Sequence, residues 1–238
     1  VESLLEIRQV SKRYGSTRAL EGVSFTVDPG QVVGLVGPNG SGKTTLLHAV
    51  VGLVRPDAGQ ILVGGFEHGS PEAKRRLGFM PDGLPRPEVL TGYEFIELTA
   101  ALRGMPVDRG WLDDIRREFD LDPRWLDRPL GTLSQGTGRK IDLIAALVTD
   151  PQLLILDEPF GGLDPLVSSR LEERVRNWPG ESRGVLLSTH DMGMAQRLCD
   201  WVVVLSGGRV VAASTVDGVL ALAGATDLRG AFLTLTGS

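Results

Sequence analysis

The apolar positions of this chain follow two periods. Near the start, Leu5-Glu6-Ile7-Arg8-Gln9-Val10 and Val23-Ser24-Phe25-Thr26-Val27 alternate apolar with polar, the pattern of half-exposed strands. Ser11–Ser16 between them reads as a turn, and Asp28-Pro29-Gly30 closes the second strand. Farther on, Gln31–Val36, Leu153–Leu156, Val185–Leu187 and Val202–Leu205 are short apolar runs of buried-strand length, and Gly59–Val63 and Leu77–Met80 read as two more strands. Helical spacing separates them. Leu46–Val51 forms one apolar face; Ile141, Ile144, Ala145 and Val148 form another; Leu171 and Val175 a third. Ser70-Pro71 and Asp164-Pro165 each place a capping residue before a proline at the first helical position. Strands alternating with helices predict an α/β chain with a mostly parallel sheet and a ligand site at the carboxyl ends of the strands.

The pattern changes between residues 81 and 130. Prolines 81, 85 and 87 mark a loop, and Thr91-Gly92-Tyr93-Glu94 matches a capping box. Phe95, Leu98 and Leu102 follow at helical spacing. A second helix carries Trp111, Ile115 and Phe119 on one face, and Asp122-Pro123 opens a third, short one. With no clear strand, this stretch reads as a helical insert.

The chemistry starts at Gly37-Pro38-Asn39-Gly40-Ser41-Gly42-Lys43-Thr44-Thr45, which fits G-x-x-x-x-G-K-[ST] between a strand and a helix. Glycines let backbone N–H groups turn toward phosphate oxygens with no Cβ in the way. The helix N-terminus adds partial positive charge. Lys43 suits the β- and γ-phosphates, and the Thr44 hydroxyl suits Mg²⁺. Downstream, the Leu153–Leu156 strand ends in Asp157-Glu158. The first carboxylate suits Mg²⁺ coordination and the second suits a general base that orients water.

Together these stretches resemble the nucleotide-binding subunit of an ABC transporter, over essentially the whole length and in the right order. The resemblance implies a P-loop α/β fold with a mostly parallel core sheet, an N-terminal antiparallel β subdomain and a helical insert. It implies one domain over 1–238, with 1–80 and 131–238 as the ATP-binding core and 81–130 as the helical subdomain. Tyr14 occupies the place of an aromatic that stacks on adenine. Leu133-Ser134-Gln135-Gly136-Thr137 occupies the family signature, usually Leu-Ser-Gly-Gly-Gln; Ser134 and Gly136 are kept and two positions depart. Gly161-Gly162-Leu163-Asp164 resembles the loop that crosses the dimer interface, and His190 the switch histidine that contacts the γ-phosphate. Asp82 stands where the family usually has a glutamine that touches Mg²⁺ and the attacking water. A carboxylate there can still face Mg²⁺ but cannot donate a hydrogen bond. An acidic residue at this position resembles the ABC-2 type branch, often exporters. The implied cofactors are ATP and Mg²⁺. The implied partners are a membrane permease, whose short coupling helix would dock on the helical subdomain, and a second ATPase subunit, identical or a paralogue. The implied location is the cytoplasmic face of the membrane, peripherally.

Composition narrows the alternatives. A formal net charge of −5 argues against nucleic acid as the main partner. Cys199 is the only cysteine, so no intrachain disulfide can form, and it reads as a small core residue. No apolar run approaches the ~18 residues of a membrane span, and Glu2 and Glu6 stand where a leader would be apolar. A non-transport ABC ATPase of translation or DNA repair is the alternative. The single cassette, the acidic balance and the lack of heptads weigh against it. A small-molecule P-loop kinase would leave Leu133–Thr137, Asp164 and His190 unexplained. His48 and His68 match no motif and read as structural or surface residues.

Overall fold

Two sheets organise the chain in the computed structural model, which describes residues 2–237; residues 1 and 238, the outermost of the expected domain, lie outside it. The first sheet is antiparallel, in the order β2 (Thr17–Val27), β1 (Leu5–Tyr14), β4 (Ala58–Val63), β5 (Phe66–Glu67). The second runs β10 (Arg209–Thr215), β9 (Trp201–Ser206), β3 (Val32–Val36), β8 (Gly184–Thr189), β7 (Leu153–Asp157), β6 (Leu77–Met80). Its strands are parallel except β10, which returns antiparallel along β9. This is the P-loop α/β architecture the sequence predicts.

The composition of each strand follows from what covers it. All five residues of β3 and all five of β7 are buried, because both faces of the parallel sheet are covered. Strand β1 alternates, since one of its faces meets solvent. Between the strands run α1 (Lys43–Val50), α2 (Pro71–Arg76), α3 (Gly92–Leu102), α4 (Arg109–Glu118), α5 (Gln135–Leu147), α6 (Pro165–Asn177) and α7 (Met192–Leu198). Helices α8 (Val216–Ala223) and α9 (Leu228–Thr236) follow β10. Local capping sets several starts. Ser70, Asp164 and Asp191 each accept a backbone N–H three residues on, and Thr91 with Glu94 forms a complete capping box.

Two close approaches fix the site. A Cβ on Gly78 would stand 2.3 Å from the Ala146 carbonyl, so α5 lies directly on β6. A Cβ on Gly34 would stand 2.7 Å from Cys199 Sγ. Cys199 is therefore the small core residue expected, at the end of α7. Burial pushes its thiol pKa up to about 12, which leaves it inert as a nucleophile. Truncating one of the fully buried leucines, such as Leu156, to alanine costs about 2–5 kcal/mol.

Two expectations need correction. Ser11–Ser16 is mostly strand: β1 continues to Tyr14, with Gln9 at φ +51° and register shifts that bend it, and Gly15-Ser16 alone turns the hairpin. The stretch opened by Asp122-Pro123 is a single 3₁₀ turn. Phe95, Leu98 and Leu102 lie on α3, as their helical spacing predicts; α3 buries Gly92, Ile96 and Ala100, Phe95 packs partly buried against the core, and Leu98 and Leu102 are 44% and 73% exposed. At Gly92 there is no room for a side chain: a Cβ would meet Leu126 Cα at 3.0 Å and Ile141 of α5 at 3.1 Å. No single helix among the described residues is long and apolar enough to cross a membrane. Helices α8 and α9 reach that composition only jointly, across a 50° bend.

Candidate functional site

The parallel register brings four strand ends level. Val36 pairs with Thr189, Asp157 with Ser188, and Leu156 with Met80. Gly37, His190, Glu158 and Pro81-Asp82 therefore emerge along one edge.

The loop after β3 is held from behind. A Cβ on Gly37 would stand 2.2 Å from the Leu205 carbonyl, and one on Gly42, at φ +108°, would stand 2.5 Å from the Ala19 carbonyl. Glycine is required at both by close backbone approach. Lys43, only 6% exposed, folds back over the loop, and its Nζ donates to Gly37 O at 2.7 Å and Pro38 O at 3.2 Å. Its Nζ also stands 3.7 Å from Glu158 Oε1. The same carboxylate oxygen lies 2.9 Å from His190 Nδ1. Lys43, Glu158 and His190 thus converge on one point at the ends of three strands.

Asp157 is fully buried. Burial raises its pKa above the ordinary carboxylate value; the Ser188 and Thr44 hydroxyls oppose the rise, and the charges of Asp82 and Glu158 add to it. Ser188 Oγ donates to Asp157 Oδ1, while Asp157 Oδ2 has no hydrogen-bond partner among the described residues. Ser41 Oγ in the loop is likewise buried without a partner. Buried polar atoms are nearly always satisfied, so two orphans at one edge mark room for a polar ligand. The residues fit phosphate with a divalent cation: Thr44 and Asp157 supply adjacent hard oxygens, and Lys43 supplies the counter-charge.

A cleft of about 440 Å³ opens here, lined by Asn39, Asp82, Gln135, Arg139, Glu158, Gly161, Thr189 and His190 among others. Asp82 is half-exposed, and its Oδ1 accepts from Arg139 Nη1 at 2.9 Å. Ser134 caps α5 and accepts the Thr137 N–H at 3.2 Å. Ser134 and Gly136 are not brought to Lys43. Gly136 instead packs on the loop before α6, where a Cβ would stand 3.1 Å from Gly162 O. Asp164 caps α6, and its Oδ2 lies 3.2 Å from Lys140 Nζ. The Val167 N–H, first, and Lys140 hold its carboxyl below the ordinary value. Tyr14 ends β1 and is 49% exposed, with Lys12 Nζ 5.5 Å from its ring centre. Strand β2, across the hairpin from it, passes behind the phosphate loop at Ala19.

A model of the ABC transporter family matches residues 20–161. The chain belongs to this family. It is 36% identical over 94% of its length to the daunorubicin resistance ATP-binding protein DrrA3 of Streptomyces coeruleorubidus, covering 72% of that protein. It is 37% identical over 87% of its length to the Nod factor export ATP-binding protein I of Burkholderia lata, covering 69% of it. A solved ATP-binding subunit of an ABC transporter superposes with a TM-score of 0.89 at 34% identity, over 98% of this chain and all of that one. Among similar curated relatives the share covered runs from 61% of an ABC transporter ATP-binding protein of Nostoc sp. to 88% of EcsA of Bacillus subtilis. The resistance and export names agree with the ABC-2 type resemblance of the cassette.

Two parts of the site escape motif reading. Ser188, the donor to Asp157, sits inside an apolar strand, where a serine signals little. Arg139 sits 4% exposed on α5, near the charged Lys140 and Asp142.

Proposed function

We propose that this chain binds and hydrolyses ATP to power substrate movement through a separate membrane permease, with export the favoured direction. The convergence of Lys43, Glu158 and His190 beside the orphaned Ser41 Oγ and Asp157 Oδ2 carries this reading.

In it, the backbone N–H groups of Gly37–Thr45 and the Lys43 ammonium hold the phosphates, and Tyr14 stacks on the base. Thr44 and Asp157, with Asp82, would hold Mg²⁺, which when bound neutralises phosphate charge. Glu158 accepts a proton from the attacking water, and His190 orients that carboxylate and reaches the γ-phosphate. Lys43 Nζ, now shared between loop carbonyls and Glu158, exchanges these partners for phosphate oxygens. No hydrogen bond joins Ser134, Gly136 or Asp164 to Lys43 among the described residues, and this reading assigns them to a site shared between two subunits. They would serve the nucleotide of a second cassette.

Residues 81–130 would act as a helical subdomain. The apolar hollow of about 310 Å³ between Val51, Leu53, Phe79 and Leu102 would take the coupling helix of the permease. The chain would then sit peripherally at the cytoplasmic face of the membrane.

The test has two arms. The specific activity of Mg²⁺-dependent phosphate release should rise with protein concentration and be lost in both Glu158→Gln and Ser134→Arg, and mixing the two inactive variants should recover activity through one intact shared site. Pull-down from detergent-solubilised membranes should retain a multi-span permease. Wild-type turnover in Glu158→Gln overturns the hydrolytic role, and recovery of soluble partners alone overturns the transport role.

A further inference from the structure

Arg139 holds three groups that belong to two different parts of the site. Its Nη1 donates to Asp82 Oδ1 at 2.9 Å and to Pro81 O at 3.3 Å, and its Nη2 donates to Glu158 O at 2.6 Å. The side chain is 5% exposed. The guanidinium thus bridges the loop after β6 to the backbone of the residue read as the general base.

That backbone needs holding. Glu158 sits at φ +43°, a conformation that residues with a Cβ rarely adopt and that persists only when the surroundings over-determine it. Its N–H donates to Ser188 O and Ser188 Oγ, both at 3.2 Å. Its carbonyl receives the short charged bond from Arg139. With both peptide groups pinned, the carboxylate is aimed at Lys43 and His190.

The charge balance points the same way. Asp82, Asp157 and Glu158 bring three carboxylates to neighbouring strand ends, and the repulsion reaches Asp157. Arg139 supplies a buried positive charge on the wall of the same cleft. One turn along α5, Asp142 accepts a bidentate bond from Arg86 at 2.6–3.0 Å, so loop and helix are joined by two ion pairs of opposite sense. A Cβ on Gly138 would stand 2.7 Å from the Arg86 guanidinium, which crosses the helix at that gap.

We propose that Arg139 is a positioning residue for hydrolysis: it locks the Glu158 backbone in its left-handed conformation and is the counter-charge of Asp82, so that the loop after β6 and the general base move as one body. This rests on the reading of Glu158 above.

The experiment compares wild type, Glu158→Gln, Arg139→Lys and Arg139→Met of the full chain. It reads kcat, KM for ATP, nucleotide affinity, melting temperature and amide hydrogen exchange over residues 158–161. Expected for Arg139→Met is a kcat loss of about 10²-fold, the scale of a small misplacement of a reacting group. ATP affinity stays unchanged, and exchange quickens at 158–161 while the rest of the chain keeps its protection. Arg139→Lys keeps the charge near Asp82 but lacks the fork that serves Glu158 O as well, so its kcat falls between the two. It also serves as the test if the methionine variant does not fold. Wild-type kcat in a folded Arg139→Met or in Arg139→Lys overturns the proposal. So does a parallel fall of kcat, ATP affinity and melting temperature, which would make Arg139 a general anchor of α5. If Glu158→Gln itself turns over normally, the reading of Glu158 fails first, and the two failures are thereby separated.

Discussion

The phosphate loop and the loop after β6 flank the same cleft and are built on opposite electrostatic plans. Around the phosphate loop Lys43 donates to backbone carbonyls, with the Glu158 carboxylate 3.7 Å away. Ser41 Oγ and Asp157 Oδ2 have no partner among the described residues. Across the cleft, charge meets charge within the chain: Asp82 with Arg139, and Arg86 with Asp142. The first region leaves buried oxygens open to a ligand; the second carries its counter-ions with it, although Arg139 Nε is unpartnered among the described residues. A ligand should therefore change the first strongly, while the second should resist and transmit movement.

The sharpest way to break this contrast is to disable the open side. Glu158→Gln should lower ATP turnover by about 10²–10⁴-fold, the range for a lost general base, while nucleotide binding survives. Lys43→Ala should weaken binding itself, because a charge-assisted contact is lost. Equilibrium nucleotide binding and phosphate release, measured on both variants, separate the two effects. Equal loss of binding in both would erase the distinction between a residue for ligand charge and a residue for chemistry.

On the self-paired side, Arg86→Met should destabilise the fold by about 3 kcal/mol, since Asp142 would keep a buried carboxylate without its partner. Burial already holds the Asp142 pKa above the ordinary value against the pull of Arg86, so removing Arg86 should push it further up. Denaturant unfolding checks this, and the loss should shrink in acid as that carboxyl protonates.

A smaller effect is expected at the seam. Asp82→Ala should raise the Mg²⁺ concentration for half-maximal ATPase activity, whereas Asp82→Gln, whose carbonyl can still accept from Arg139, should stay active. A Mg²⁺ titration of the alanine variant that superimposes on wild type would confine Asp82 to the ion pair.

Smallest is a stability effect at Asp157. Its folded pKa is raised, so the folded state holds its proton more tightly than the unfolded chain does. Stability from this group is full below the ordinary carboxylate pKa of 3.8 and is lost as pH rises through the raised folded value. Asp157→Asn should therefore raise the melting temperature of the nucleotide-free protein at neutral pH, with the gain vanishing in acid. A gain independent of pH would point to packing instead of charge.

What sequence reading captured and what it missed divide along locality. The phosphate loop, the Asp157-Glu158 strand end and the caps at Ser70, Thr91 and Asp164 are decided by a few neighbouring residues, and all were readable. The buried face of α3 was not. Its inward side is Gly92, Ile96 and Ala100, set by packing against α5 and Leu126, while Leu98 and Leu102 of the same helix face solvent. Arg139 was missed for the same reason: its partners lie on Pro81, Asp82 and Glu158, which come together only when β6, α5 and β7 pack. The elements beyond Leu205 went unread, as β10 pairs antiparallel to a sheet otherwise parallel.

That returning strand sets a timetable. The turn between β9 and β10 closes the back of the phosphate loop: Gly208 N–H donates to Ser41 O at 3.0 Å, and Gly208 O accepts from the Glu21 N–H at 2.8 Å. The loop read as gripping phosphate, Gly37–Thr45, is translated well before the brace behind it. A chain still on the ribosome can form the antiparallel hairpin at once, because β1 and β2 are neighbours. Its nucleotide pocket stays unbraced until residue 208 has cleared the exit tunnel. ATP would then engage a braced pocket only after residue 208 has emerged, which keeps shorter nascent chains out of the nucleotide-driven cycle.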